Sequence, residues 1–417
     1  METQKRIART FALFVCLLVG ITTAYAENSY LTISGTVKDR ANDKNLEYVA
    51  VSVIGTNVGT VTNEDGVFIL KVNDSIKVSA IELSHLGYKS SRISYSGNNM
   101  LDQTFYMIPS PWELKTVIVN PKDPVWILER AFELIDRNYP VSPNLLTSFY
   151  RETVKKRRNY INISEAITNV YKTSYDKNIN QDKVQILKGR TLLSPDKQDT
   201  LAVKLLGGPN LPIFGDFLKN PEILFGKDEL HHYRFTMETP VTIDNRMQYV
   251  IRFEPQVTMP YPLYFGKFYV DQENLAFTRA EFSMDMRDKD KVTNIILQRK
   301  PAGLKFKPEE ASIVVTYKQQ GDKYRLNYIQ NELKFKCDWK KWLFLAANYT
   351  VTSETVVTDS YQEDVQLIPR SDSFSKRESL SDKVSAFYDS DFWGAYNIIE
   401  PSESLESAVN KLMKKYK

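Results

Sequence analysis

The residues that most often carry out chemistry in proteins are scarce in this sequence. Its 417 residues include three histidines, His85, His231 and His232, and two cysteines, Cys16 and Cys337. A zinc peptidase needs a histidine and a glutamate on one short motif, and no glutamate stands three residues after His85 or His232. The adjacent pair His231–His232 is predicted to lie in a β-type stretch, where its two side chains point to opposite faces. The spacing therefore predicts no metal and no other cofactor.

Other catalytic motifs are also missing from the sequence. It contains no phosphate-binding glycine loop, no Gly-x-Ser-x-Gly elbow and no His-Glu-x-x-His motif. Carboxylates are abundant, so a glycosidase-type pair is the enzymatic alternative that stays open, although no spacing singles one out. Alternation of apolar and charged residues around Cys337 predicts a buried, inert thiol. A non-enzymatic protein is the favoured interpretation.

Composition and charge narrow the class of protein. Hydrophobic residues make up 42% and charged residues 25% of the chain, which is typical of a folded protein rather than a disordered one. Lysine plus arginine number 55 against 51 acidic residues, so the net charge of +4 gives no reason to expect nucleic-acid binding. An aromatic content of 12% favours β-rich structure.

The first 26 residues have the pattern of a secretory signal peptide. Basic residues precede an apolar run at 11–21, and Ala24-Tyr25-Ala26 forms a cleavage site. This run is shorter than the roughly 20 residues that a membrane-spanning helix needs, and no later segment is long and apolar enough. We therefore expect an exported chain without a transmembrane segment after cleavage. Its expected location is the periplasm or the periplasmic face of the outer membrane.

Residues 27–108 contain about seven short β segments, which predict a β-sandwich. The segments ISGTVKD at 33–39, VAVSV at 49–53, GTVTNEDGVF at 59–68 and LGY at 86–88 resemble a carboxypeptidase-regulatory-like domain. The resemblance implies a prealbumin-like sandwich without catalytic activity. It also implies an exported protein of the Bacteroidetes type, because such domains open many of them, including TonB-dependent outer-membrane receptors.

A proline-containing linker is predicted at residues 109–123, followed by a larger β-rich domain at residues 124–417. An apolar stripe predicts a helix over 124–139, and charge placement predicts a final helix over 402–416. Long β segments lie between these helices. They predict a large curved antiparallel sheet, or half-barrel, with a few packing helices, so the fold class is mostly β.

Part of this region resembles a second family. The segments GKFYVD at 266–271 and RAEF at 279–282 are similar to a hairpin of periplasmic lipoprotein-carrier-like proteins. In that family a curved sheet holds acyl chains against a helical lid. The resemblance implies the same kind of sheet here, and a lipid as a ligand.

One apolar segment, residues 205–218, is broken by glycine and proline and cannot be a regular helix or strand throughout. It either covers an apolar cavity or packs on the domain's own core, and the second interpretation is the simpler one. A similar stretch at 259–265 could form the other side of the same opening. The candidate ligand or lid contacts are Leu205, Leu206, Leu211, Ile213, Phe214, Phe217, Leu218, Tyr261, Tyr264 and Phe265.

Three functional hypotheses follow from these patterns. The first is a non-enzymatic envelope protein that binds an apolar ligand such as a lipid, or a polypeptide partner. The second is a structural scaffold that contacts an outer-membrane or other envelope protein, and it predicts a filled core. The third is a carboxylate-based hydrolase, which predicts a polar cleft with two close carboxylates.

Overall fold

The computed structural model describes residues 30–95, 97–110, 123–196, 199, 205–221, 225–297, 303–339, 346–386 and 390–416. The predicted signal peptide at 1–26 and residues 111–122 of the predicted linker lie outside the described residues. Within the described ranges, no helix combines the length and the apolarity needed to cross a bilayer.

The chain begins with a sandwich of two small sheets, as the sequence predicts. Its strands are β1 (Tyr30–Asp39), β2 (Ala50–Val53), β3 (Gly59–Val61), β4 (Val67–Asn73), β5 (Ala80–Ser84), β6 (Ser91–Ser94) and β7 (Met100–Met107). One sheet has the order β4-β1-β7 and the other β3-β2-β5-β6. Alternating apolar residues such as Val51, Phe68 and Leu83 fill the space between them. The turn before β4 uses Gly66 at a φ of +73°, which a side chain would disfavour.

The second part of the chain is built on one large open sheet. Its strands are β8 (Asn144–Lys156), β9 (Asn159–Lys172), β10 (Lys183–Leu193), β11 (Tyr233–Ile243), β12 (Arg246–Pro255), β13 (Tyr264–Asp271), β14 (Phe277–Met284), β15 (Leu304–Gln320), β16 (Lys323–Trp339), β17 (Ala347–Tyr361) and β18 (Ser385–Ala386). The order is β11-β12-β13-β14-β15-β16-β17-β8-β9-β10-β18. All neighbours are antiparallel except the two-residue strand β18, which runs parallel to β10. The mostly β class and the open, half-barrel-like sheet are confirmed.

Five short α-helices accompany this sheet in the part of the chain that the structure describes. They are α1 (Pro124–Glu133), α2 (Ile135–Asn138), α3 (Asn210–Phe214), α4 (Lys289–Ile296) and α5 (Glu403–Lys414). The Asp123 side chain accepts a hydrogen bond from the Val125 N–H at 3.0 Å, so it caps the free amides of α1. The single helix predicted over 124–139 is divided at Leu134 into α1 and α2. The predicted C-terminal helix is α5, and Ser402 caps it.

The two faces of the large sheet cover different parts of the molecule. We call the face on which α1 packs the inner face, where Ile127 and Leu128 share a core with Phe253. On the outer face, Val61 of the sandwich packs with Val356 of β17. Because side chains alternate along a strand, a strand such as β17 contributes residues both to the core on the inner face and to the contact with the sandwich on the outer face.

The chain's C-terminal segment helps to fix the sandwich against the outer face. Thr60 Oγ1 donates a hydrogen bond to the Ile398 carbonyl at 2.8 Å. The Asn397 side chain both accepts from and donates to the backbone of Lys71, at 2.7 and 2.9 Å. Lys318 Nζ on β15 donates directly to Ser52 Oγ at 2.5 Å. The inner face is therefore left free of the sandwich.

Candidate functional site

The inner face contains a cavity of about 980 Å³ beside the main core. Its floor is formed by alternate residues of three neighbouring strands, namely Ala311 and Ile313 on β15, Leu333 on β16 and Val351 on β17. Phe335 extends this floor toward a second apolar cluster that includes Phe306 and Tyr349. The floor is therefore mostly apolar, with Asn331 and Ser353 as polar residues among its members, and the paired strands hold it in place.

Two loops cover part of this cavity, and we call residues 205–211 and 374–380 together the roof. Leu205, Leu206 and Leu211 of the first loop line the cavity. The Gly207 N–H donates to the Glu378 carbonyl at 2.9 Å, and Gly207 has a φ of +98° that favours glycine. A second link between the loops is a hydrogen bond from the Asn210 side chain to a carbonyl of the other loop.

A third wall of the cavity comes from α4 and the strands beside it. Ile295, Ile296 and Leu297 line it together with Tyr264 of β13 and Met284 of β14. The Asp288 side chain caps α4 by accepting a hydrogen bond from the Lys291 N–H, and Lys291 Nζ donates to the carbonyl of Met259 at 2.9 Å. Ile295 is 54% exposed, so this wall continues to the molecular surface.

The second half of the apolar segment 205–218 lies in the main core instead of the cavity. Ile213, Phe217 and Leu218 are buried there. The Phe217 ring packs edge-on against Phe277 and Phe282, with ring centroids 5.2 Å apart in each case. Phe214 is half-buried, and the Lys376 ammonium stands 4.2 Å from its ring centroid. The segment thus combines the two alternatives that the sequence left open.

Buried ion pairs hold this second half in place. Lys172 Nζ lies 2.7 Å from Asp216 Oδ2, and Tyr317 donates its hydroxyl proton to Asp216 Oδ1 at 2.5 Å. Lys219 Nζ lies 2.5 Å from Asp182 Oδ1, and burial lowers the pKa of Lys219 to about 8. These four charged residues are at most 5% exposed, and we assign them a role in fixing the loop to the end of β9 and the start of β10.

The stretch 259–265 contributes one predicted residue to the cavity. Tyr264 lines it, whereas Tyr261 is 45% exposed and Phe265 is 46% exposed. Phe265 follows Tyr264 directly on β13, so its side chain points to the opposite face of the sheet. Leu205, Leu206, Leu211 and Tyr264 are therefore the predicted residues that the structure brings together around the cavity.

Sequence reasoning missed most of the floor and all of the third wall except Tyr264. Ile313, Leu333 and Val351 are ordinary alternating strand residues, and their pattern is the same whether a core or a cavity faces them. The one usable signal was the adjacent apolar pair Ile295–Ile296, which ends a mostly polar α4 whose other apolar residue is the buried Val292.

The side chains of His231, His232 and Cys337 do not line the cavity. His231 and His232 end a 3₁₀ turn (Lys227–His232) with ring centroids 4.1 Å apart, so placing them in a β-type stretch with opposed side chains was wrong. Cys337 is buried on β16 as expected, and burial raises its pKa to about 11. Among the described residues, no group of three or more His, Cys, Asp or Glu side chains could hold a metal ion.

One carboxyl group near the cavity is unusual. Glu152 of β8 stands opposite Ser353, which lines the cavity, but Glu152 itself is fully buried. Tyr150 donates its hydroxyl proton to Glu152 Oε2 at 2.6 Å, and Oε1 has no hydrogen-bond partner. Burial raises the pKa of Glu152 to about 7. The Glu152 side chain is shielded from solvent and is not among the described residues that line the cavity.

Comparisons with known proteins bear on the fold. Residues 33–119 match the family model of the CarboxypepD_reg-like domain. No curated protein sequence matches the chain.

Three solved structures give low TM-scores against this chain. A DUF1329 family protein from Desulfovibrio piger is 10% identical, with a TM-score of 0.25, and the match covers 58% of this chain and 95% of that one. A LolA superfamily protein from Nitrosomonas europaea is 13% identical, with a TM-score of 0.21, over 58% of this chain and 94% of that one. A protein of unknown function from Bacteroides fragilis, described as membrane-associated, is 9% identical, with a TM-score of 0.16, over 80% and 99%. The family-model match shows that residues 33–119 of this chain are similar to the CarboxypepD_reg-like domain family.

Proposed function

We propose that this protein is a non-enzymatic binding protein whose inner-face cavity holds the hydrocarbon chain of an amphipathic lipid-like molecule. The cavity itself is the observation that carries the proposal. Its volume of about 980 Å³ lies at the upper end of the roughly 300–1,000 Å³ that small-molecule sites span. Fifteen of the twenty described residues that line it are apolar or aromatic, whereas the core beside it is filled.

The driving force for such binding is the transfer of hydrocarbon out of water. Each methylene group that enters the cavity contributes about 0.8 kcal/mol. The floor residues Ile313, Leu333 and Phe335 lie on paired strands and do not need to be ordered by the ligand. The roof residue Leu211 and the α4 residue Ile295 add contact area from opposite sides. A long alkyl chain fits these surfaces better than a polar metabolite does.

The alternative functions receive less support from this geometry. The scaffold hypothesis predicts a filled core, and it gives no role to the cavity of about 980 Å³. A carboxylate-based hydrolase needs two close carboxylates, but Glu332 is the only carboxylate among the described lining residues, and it lies 2.8 Å from Lys334. A polypeptide partner would need hydrogen-bonding groups for its backbone, and the described lining is mostly apolar side chains. A lipid ligand is therefore the better supported proposal.

The location and the N-terminal sandwich complete the proposal. The sequence of residues 1–26 supports export, and we place the mature chain in the periplasm or at the periplasmic face of the outer membrane. The sandwich contacts the outer face of the large sheet, so it leaves the cavity side free. We propose that the sandwich is a docking module for an envelope protein.

A matched pair of variants tests the cavity. Leu211→Asp places a carboxylate against the cavity, whereas Leu367→Asp changes a leucine that is 60% exposed and does not line it. Affinity for the fluorescent apolar probe N-phenylnaphthylamine is measured by titration for both variants and the parent protein. We expect Leu211→Asp to weaken binding at least about tenfold, because a buried unpaired charge opposes an apolar ligand. Equal affinities of all three proteins, or a parent protein that does not bind the probe, would contradict the proposal.

A further inference from the structure

Few charged residues line the cavity, and they differ in their ion-pair partners. Among its described lining residues, Glu332 and Arg377 are the two that carry a charge. Glu332 Oε1 lies 2.8 Å from Lys334 Nζ, and that ammonium also lies 2.9 Å from Glu310 Oε2. Glu332 is adjacent to Leu333 on β16, so its side chain points to the opposite face of the sheet from the cavity floor, where it shares Lys334 with Glu310. Arg377 is therefore the described charged residue whose side chain remains to act on the cavity side.

The neighbours of Arg377 on the roof are occupied with other partners. Lys376 Nζ donates to Asn180 Oδ1 at 2.7 Å and stands over the Phe214 ring. Glu378 Oε1 lies 2.8 Å from Lys383 Nζ, so this carboxylate is paired on the far side of the loop. Within the described part of the chain, no carboxylate lies within ion-pair distance of the Arg377 guanidinium. It is exposed at the mouth of an apolar cavity.

This position suits an anionic group on a ligand. A guanidinium is planar and remains charged, and it can donate two parallel hydrogen bonds to one carboxylate or phosphate. Beside a low-dielectric wall such a contact is stronger than in bulk water. A ligand with its chain over Ile313 and Leu333 would leave its polar end at the roof, where Arg377 lies.

We propose that Arg377 binds the anionic headgroup of the ligand, and that the cavity selects negatively charged amphiphiles over neutral or cationic ones. This inference rests on the proposed lipid-binding function and specifies its ligand class. The recognised chemistry is a carboxylate or a phosphate at the end of an alkyl chain. A fatty acid and a phosphate-bearing lipid both supply it.

Four ligands with the same chain length test this selection. Laurate, dodecyl phosphate, monolaurin and dodecyltrimethylammonium are titrated, below their micelle concentrations, against the full mature chain, Arg377→Gln and Arg377→Lys. Arg370→Gln is the control, because Arg370 is an exposed arginine on the preceding stretch of loop that does not line the cavity. We expect Arg377→Gln to weaken laurate or dodecyl phosphate binding about tenfold or more and to leave monolaurin binding unchanged. Arg377→Lys should restore part of the loss, and Arg370→Gln should have no effect.

The possible outcomes separate this inference from the proposed function. A loss confined to laurate supports the inference with a carboxylate ligand, and a loss confined to dodecyl phosphate supports it with a phosphate ligand. If the ligands bind but Arg377→Gln changes no affinity, or changes all four equally, the headgroup assignment is wrong while lipid binding stands. If the parent protein binds none of the four, the proposed function fails together with this inference.

Discussion

Two apolar regions lie side by side on the inner face of the large sheet, and one is filled while the other is hollow. In the filled region, Phe217 is surrounded by the rings of Phe268, Phe277 and Phe282 at centroid distances of 5.2–5.4 Å. In the hollow region, the residues around Leu333 enclose about 980 Å³. Both regions use leucine, isoleucine and phenylalanine, so composition does not separate them.

The difference between the two regions arises from how the segment 205–218 is held. Its second half is fixed to β9 and β10 by Asp216, which pairs with Lys172, and by the nearby Lys219, which pairs with Asp182. Its first half is linked to the other roof loop by hydrogen bonds at Gly207 and Asn210. The second half is thus held by buried ion pairs, each of which would cost several kcal/mol to break. The first half is held by the two hydrogen bonds just named. We therefore expect the first half to adjust to a ligand more readily than the second half.

The largest effect is expected in the filled region. Phe217→Ala removes a fully buried ring from among three other rings, and we expect the free energy of unfolding to fall by about 3–5 kcal/mol. Urea unfolding followed by far-UV circular dichroism measures the change. A loss below about 1 kcal/mol would mean that the filled region is loosely packed and that the contrast with the cavity is false.

A pH titration tests whether the hollow region ends before Glu152 of β8, which stands opposite the cavity-lining residue Ser353. Burial raises the pKa of Glu152 from 4.5 to about 7 in the folded chain. Between these values the folded chain keeps a proton that the unfolded chain has released, so the free energy of unfolding falls as the pH rises. Over the full window, the loss is about 3 kcal/mol, and Glu152→Gln should not show it. Urea unfolding at about pH 5 and about pH 8 measures both proteins.

Comparison with Glu152→Gln removes the contribution of other groups that titrate in the same pH range, because both proteins contain those groups. Glu400 is one of them, because burial raises its pKa to about 7 as well. If the parent protein and Glu152→Gln respond identically to pH, water reaches Glu152. The hollow region would then extend to β8.

The smallest effect is expected in the hollow region. Leu211→Ala shortens a half-buried side chain that faces the cavity, so it creates little new void and should cost less than about 1 kcal/mol of stability. The same urea experiment measures it beside Phe217→Ala. A cost of several kcal/mol would show that Leu211 is packed as tightly as a core residue and that the roof is not adjustable.

Much of the fold could be predicted from the sequence because local patterns were strong. The sandwich follows from alternation and the Asp65-Gly66 turn, and the large sheet follows from long β segments joined at short turns. The pattern of β10 is weaker in the sequence, because a register shift between Ile186 and Lys188 disturbs its alternation. The helix over 124–139 was predicted as one element, but Leu134 divides it.

The candidate site was harder to predict for a physical reason. Alternation identifies the buried face of a strand, but it carries no information about whether side chains or a ligand fill the space opposite. Leu333 and Phe253 therefore have the same sequence signature, although one lines the cavity and the other lies in the core. The glycines and prolines of 205–218 indicated an irregular loop, but the place where it turns from roof to core depends on Asp216 and its distant partner Lys172.

The most direct test of lipid binding is native mass spectrometry of the protein, purified gently from its own cells. The account predicts a bound species whose mass is released on denaturation and which is identified as an amphiphile with an alkyl chain. Leu211→Asp, purified in the same way, should carry much less of it. A parent protein that is uniformly free of any such ligand and that takes up none when it is added would contradict the central claim.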